Sequence, residues 1–126
     1  MEGNSCYCGA AAVFEDCCGP LLKGERLAQS AVQLMRSRYS AYVLVNADYM
    51  VKTTHPKKRY RYKKQAIIDW AQESEWLRLE VLDVQETQVI FKAYYRDADG
   101  VLQTHWERSL FEAVNGSWYY VEGFFE

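Results

Sequence analysis

Across residues 25–42, ERLAQSAVQLMRSRYSAY, Leu27, Ala28, Ala31, Leu34, Met35, Arg38, Tyr39 and Tyr42 recur at three- and four-residue intervals with no Gly or Pro between them. That spacing predicts an amphipathic helix. Asn46 and Asp48 can restart a helix through Tyr49, Met50 and Val51. Thr53-Thr54-His55-Pro56 should end it, because the residue before proline avoids helical geometry. Residues 64–74, KQAIIDWAQES, predict a third helix presenting Ile67, Ile68, Trp70 and Ala71. The period then drops to two. Leu77, Leu79 and Val81 alternate with Trp76, Arg78 and Glu80, and residues 88–96, QVIFKAYYR, are rich in β-branched and aromatic side chains. Asp97-Ala98-Asp99-Gly100 and Asn115-Gly116 are hairpin turns that bound strands over 101–114 and 117–125. Helices first and a four-strand meander afterwards define an α+β domain with an antiparallel sheet, one face of which must be buried on the helices.

Composition narrows the class. A chain of 126 residues, 49% apolar and 15% aromatic with 2 Pro and 7 Gly, suits one folded domain and argues against disorder. No apolar run approaches the roughly 20 residues of a membrane span. The opening MEGNSCYCGA has neither the basic nor the apolar segment of a secretory leader, so a cytoplasmic location is expected. The net charge of −2 hides an uneven distribution: residues 52–64, KTTHPKKRYRYKK, hold seven bases and no acid. Lys57, Lys58, Arg59 and Arg61 are therefore candidate anion contacts, with bases stacking on Tyr60 and Tyr62 if the partner is nucleic acid. A solvated loop balancing the acidic C-terminal half explains the same residues.

All four cysteines, Cys6, Cys8, Cys17 and Cys18, fall near the N-terminus, and none follows. Two disulfides would be awkward with Cys17 and Cys18 adjacent, and would constrain little of the chain. Iron–sulfur ligation also uses four cysteines, and free redox thiols remain open. The spacing C-x-C-x8-C-C, two close pairs joined by a short loop, favours one small tetrahedral ion, with zinc its natural occupant. Four thiolates leave no open coordination position, so one zinc per chain would be structural. Gly9 and Gly19, just after each pair, suit turns that aim N–H groups at sulfur.

The stretch Cys6-Tyr7-Cys8-Gly9 … Cys17-Cys18-Gly19 resembles the SEC-C zinc motif, C-x-C-G-S-G-x5-C-[CH]-G, with Ala10 and Ala11 standing where that pattern has Ser and Gly. The remainder resembles the YchJ-like family of small bacterial proteins. The residues that carry this are Leu34-Met35-Arg36-Ser37-Arg38-Tyr39-Ser40-Ala41-Tyr42, Thr54-His55-Pro56, Trp76-Leu77-Arg78-Leu79, His105-Trp106-Glu107-Arg108-Ser109-Leu110-Phe111 and Trp118-Tyr119-Tyr120-Val121. The resemblance implies a zinc knuckle over residues 1–22. It further implies, over residues 23–126, a cone-shaped domain similar to nuclear transport factor 2, with three helices on a curved four-strand sheet. The related knuckle of the preprotein translocase ATPase contacts an export chaperone, so a protein or ribosome partner is implied as well. Homodimerisation through the sheet face is expected by analogy with other cones.

Bending such a sheet leaves a cavity at its wide end. On the strand from 101, His105, Glu107 and Ser109 share one face about 7 Å apart, an acid/base pair in a cone mouth or a buried polar pair fixing the sheet. Tyr39, Trp76 and Trp106 are candidate pocket residues, within a wider aromatic set of Tyr42, Tyr49, Trp70, Tyr94 and Trp118 that equally describes a small core. No nucleophile–base–carboxylate unit is implied, since alternate residues on one strand do not converge. His55 reads as a loop residue, and Arg36 and Arg38 flank the helix–sheet junction. The expectation is therefore a zinc-stabilised interaction module without a catalytic residue. A ligand-binding or enzymatic cone using His105 and Glu107 is the alternative, and nucleic-acid binding through 57–64 a third reading.

Overall fold

The computed structural model describes residues 5–125; residues 1–4 of the expected 1–22 knuckle, and residue 126, lie outside the described residues. The elements run α1 (Gly19–Leu22), α2 (Ala31–Val43), α3 (Ala47–Lys52), a 3-10 segment at Pro56–Arg61, α4 (Lys64–Glu73), then β1 (Glu75–Val84), β2 (Gln88–Arg96), β3 (Leu102–Val114) and β4 (Ser117–Phe125). The strands form one antiparallel sheet in the order β1-β2-β3-β4. This is the expected α+β arrangement, with α2, α3 and α4 on one sheet face.

Two local expectations are corrected. The long helix begins at Ala31, not residue 25, because Ser30 adopts an extended backbone and its hydroxyl accepts the Gln33 N–H at 3.2 Å, an N-cap that starts the helix there. The chain before it turns at Gly24, which has φ +79°, and Leu27 is left exposed. Part of the basic stretch, given in one reading as a solvated loop, takes regular form while staying unburied. Pro56–Arg61 winds as a 3-10 helix capped by His55, whose Nδ1 accepts the Lys57 N–H at 3.1 Å.

The sheet is bent at three register shifts, between Trp76 and Arg78, between Val81 and Asp83, and between Leu110 and Phe111. Each extra residue kinks its strand and raises local twist, which curls the sheet into a cone. Leu34, Met35, Met50, Ile67, Val89 and Phe111 form the buried core between helices and sheet. The chain after α3 reaches across to β4: His55 N–H donates to Tyr120 O at 2.7 Å and Tyr120 N–H to Thr53 O at 2.8 Å. That junction sets Tyr120 beneath α2. No helix among the described residues is long and apolar enough to cross a membrane.

Candidate functional site

The first site is the cysteine cluster. A short hairpin, closed by Cys6 N–H to Ala12 O at 2.8 Å and by the tight turn Gly9 N–H to Cys6 O at 3.1 Å with Gly9 at φ +87°, brings Cys6 and Cys8 round to face Cys17 and Cys18. The four sulfurs lie within 4.8 Å of one another, and Cys8 Sγ stands 3.7 Å from Cys17 Sγ. A disulfide would need about 2.05 Å. Tetrahedral bonds of about 2.3 Å to one ion place the sulfurs about 3.8 Å apart, so the donor set fits a closed metal site. Cys6, Cys8 and Cys18 are buried and Cys17 half-buried. The hydrogen bond from Cys18 holds the Cys8 thiol down to about 5 against the opposing effect of burial. Burial and the charge on Cys8 push Cys17 up to about 12. Sulfurs this crowded do not all ionise without a cation among them.

The knuckle is docked on the larger domain. Arg36 on α2 donates to Cys8 O at 2.8 Å, Ser40 Oγ lies 3.7 Å from Cys6 Sγ, and Leu79 of β1 packs against the cluster. Gly19 is required here, since a Cβ would stand 2.8 Å from Phe14 O. Arg36 and Ser40 escape a reading of the sequence for metal ligands. The signal available was that Arg36 and Ser40 stand one helical turn apart and so share a face of α2.

The second site is a cavity of about 320 Å³ between α2, α4 and the concave sheet face. Trp70, Trp76 and Tyr42 build its aromatic wall, Trp70 edge to face with the other two and Tyr42 tilted on Trp76, with centroids 5.1–5.4 Å apart. The His105 ring lies 5.4 Å from Trp70 and 5.2 Å from Phe125. His105, Glu107 and Ser109 do share the concave face, opposite Ala93, Phe91 and Val89 of β2. They also connect: Glu107 Oε1 is 2.8 Å from His105 Nε2, while Oε2 accepts Ser109 Oγ–H at 2.6 Å and Tyr120 O–H at 2.8 Å. Burial alone would raise the Glu107 carboxyl. The hydrogen bonds from His105, Ser109 and Tyr120 outweigh it and hold the group below the usual carboxylate range. With Glu107 ionised, His105 Nε2–H donates to it, and Nδ1 has no partner among the described residues. Every buried side-chain nitrogen and oxygen there is hydrogen-bonded, so Nδ1 reaches solvent, in the cavity that His105 lines.

Of the expected pocket residues, Tyr39, Trp76, His105 and Glu107 line this cavity, and Trp106 does not. Trp106 alternates with His105 and Glu107 along β3 and so projects from the opposite sheet face. Tyr94, paired with Thr104, shares that outer face and donates to Glu80 at 2.7 Å. Tyr49 is bound to Ser37 at 2.6 Å within the helix layer, and Trp118 packs on the core. Tyr62, Tyr120 and Phe125 line the cavity without having been anticipated. An arginine in the apolar stripe of α2, Arg38, was the signal that something polar lay beneath it.

Of the four candidate anion contacts, two are engaged by the protein itself. Arg59 turns inward, donating to Thr54 O at 2.9 Å and Lys52 O at 2.8 Å. Arg61 pairs with Glu122 at 3.4 Å. Lys57 and Lys58 make no ion pair among the described residues. His55 Nε2 lies 3.2 Å from Glu112 Oε1.

A cone of helices on a bent antiparallel sheet, carrying a docked four-cysteine knuckle, defines an NTF2-like protein with a SEC-C-type N-terminus. Residues 30–123 match the family model described as YchJ, middle NTF2-like domain, and the chain belongs to that family. It is 39% identical over 128 residues to a UPF0225 protein of Geobacter sulfurreducens, covering 96% of this chain and 79% of that one. Among solved structures, a SEC-C motif containing protein from Rhodopseudomonas palustris superposes with a TM-score of 0.87 at 42% identity, covering 94% of this chain and 96% of that one. A second, from Psychrobacter arcticus, gives 0.78 at 37% identity, with 93% and 80% covered.

Proposed function

We propose that this protein is a zinc-clamped small-molecule-binding domain. The described residues 5–22 form the structural knuckle and 23–125 the binding cone. The observation that carries the reading is the aromatic cavity of about 320 Å³ converging on His105. A cavity of that size with few, convergent polar groups is how folded domains hold small ligands. Glu107 is fully occupied by its three donors and serves to orient His105. His105 Nδ1 is the atom offered to a ligand. Zinc supplies architecture at Cys6, Cys8, Cys17 and Cys18, where the docking by Arg36 and Leu79 ties the metal loop to α2 and β1. Naphthalene-sized aromatics should quench Trp70 and Trp76 emission saturably, and Ala66→Trp, placed at the exposed mouth, should abolish this. Quenching that neither saturates nor responds to that variant overturns the reading.

A second reading, protein contact through the knuckle, is favoured by Tyr7, which is 48% exposed beside the exposed Glu15 and Asp16. Comparing proteins retained from lysate by the native chain and by Tyr7→Ser tests it. Identical retained sets remove the knuckle from partner recognition.

A further inference from the structure

Arg38 is a half-buried cation whose charge has no carboxylate within ion-pair distance among the described residues. Its Nη1 is occupied, donating to Met50 O at 3.0 Å and Thr53 Oγ1 at 2.7 Å, with Thr54 Oγ1 at 3.4 Å. Its carbon Cζ sits 4.3 Å above the Tyr120 ring, which fixes the guanidinium plane. Nε and Nη2 have no hydrogen-bond partner among the described residues. Because no buried side-chain nitrogen or oxygen among the described residues lacks a hydrogen bond, these donors reach solvent, and Arg38 lines the cavity. Nε–H and Nη2–H form the edge of a guanidinium that grips a carboxylate through two parallel bonds.

The rest of the cavity agrees in sign. Lys63 at the mouth has no ion pair among the described residues, and Arg61 there is shared only with Glu122. The single acid in the lining, Glu107, has both oxygens taken up by three donors, and its one negative charge is outnumbered by Arg38, Arg61 and Lys63. A half-buried guanidinium with no carboxylate beside it attracts a counter-charge more strongly than one in open water. Accepting the cone as a ligand site, we infer that its ligand is a small aromatic carboxylate. The carboxylate sits on the Nε/Nη2 edge of Arg38, and the ring lies among Trp70, Trp76 and Phe91. Tyr120 links the two polar ends, since its ring lies under Arg38 and its hydroxyl reaches Glu107, which orients His105.

The test uses naphthalene-1-acetate and its neutral amide, naphthalene-1-acetamide, as probes of the full zinc-loaded chain. Binding is read by Trp fluorescence and by backbone NMR shifts at His105 and Trp70. The acid should bind about tenfold or more tightly than the amide, by the weight of a charge-assisted bidentate contact. Raised salt should weaken only the acid. Arg38→Met should remove the preference while leaving amide binding. Because Arg38 also holds the α3 terminus, Lys63→Glu gives a second measure at an exposed position: it should weaken the acid about threefold and leave the amide unchanged. Equal affinities for acid and amide overturn the carboxylate inference and leave the cone a neutral-ligand site. Binding of neither probe overturns both.

Discussion

Tyr120 donates its hydroxyl to Glu107 Oε2 at 2.8 Å from the neighbouring strand, so a carboxylate buried inside an aromatic cone is held by β4 as well as by its own β3. With Ser109 and His105 it completes a carboxylate with three donors and no unmet polar atom. Replacing Glu107 by Gln turns one oxygen into a donor facing donors. The expected cost is about 1–3 kcal/mol, because the amide nitrogen must face either His105 or the two hydroxyls and one side loses its acceptor. Urea unfolding of Glu107→Gln measures it, and an unchanged midpoint would show that the network contributes nothing.

Acid stability follows from the same carboxylate. Its pKa is lower in the folded state than in the unfolded chain. Its contribution is therefore fully present above the unfolded value of about 4.3 and is lost as pH falls through the folded value. Denaturant titrations between about pH 3 and 7 should show a loss below about pH 4.5 that Glu107→Gln lacks.

Alkaline behaviour has the opposite sign. Burial pushes up the phenols of Tyr42, Tyr49 and Tyr120, and raises Tyr39 to about 12. The folded state prefers these groups protonated, so their stabilisation is present below about pH 10 and is lost as pH rises through the folded values. Unfolding followed by tyrosinate absorbance should be cooperative above about pH 10, while the exposed Tyr60 ionises before it.

Gly123 has no room for a side chain. An added Cβ would collide with Glu107 Oε2 and Tyr120 Oη, and would stand 2.6 Å from Glu107 Cδ. Gly123→Ala should destabilise by about 1–3 kcal/mol and push Glu107 off its hydrogen bonds. A thermal midpoint within a degree of the native protein would contradict this.

Metal removal should act locally. Stripping zinc from reduced protein should broaden or collapse the backbone NMR signals of residues 5–22, while β2 and β3 keep theirs. Tyr39 neighbours both Ser40, beside Cys6, and the cavity, so its signals should shift slightly. Unfolding of the whole sheet would show that the knuckle holds the cone and is not merely docked on it.

Spacing and alternation made several features legible before any coordinates. The two cysteine pairs could close on one ion only because their separations along the chain are short, so the metal site is nearly a local property. His105, Glu107 and Ser109 share a face because a strand alternates strictly, and that also places Trp106 on the other side. What alternation could not convey is that the three connect. Backbone positions about 7 Å apart do not meet, yet the long Glu107 side chain turns one oxygen to His105 and the other to Ser109, with Tyr120 of β4 fixing it there.

The amino-acid order by itself determined the α+β class, the hairpin turns and the cysteine cluster, because each depends on propensity, turn chemistry or ligands close along the chain. The tertiary structure alone decided that Arg38 stands over Tyr120 with one edge free, that Tyr120 reaches Glu107, and that Arg36 and Ser40 hold the knuckle. Those contacts join α2 to elements distant in sequence, and they depend on how far the sheet curls and where its bulges fall. Sheet curvature arises from packing the whole chain at once.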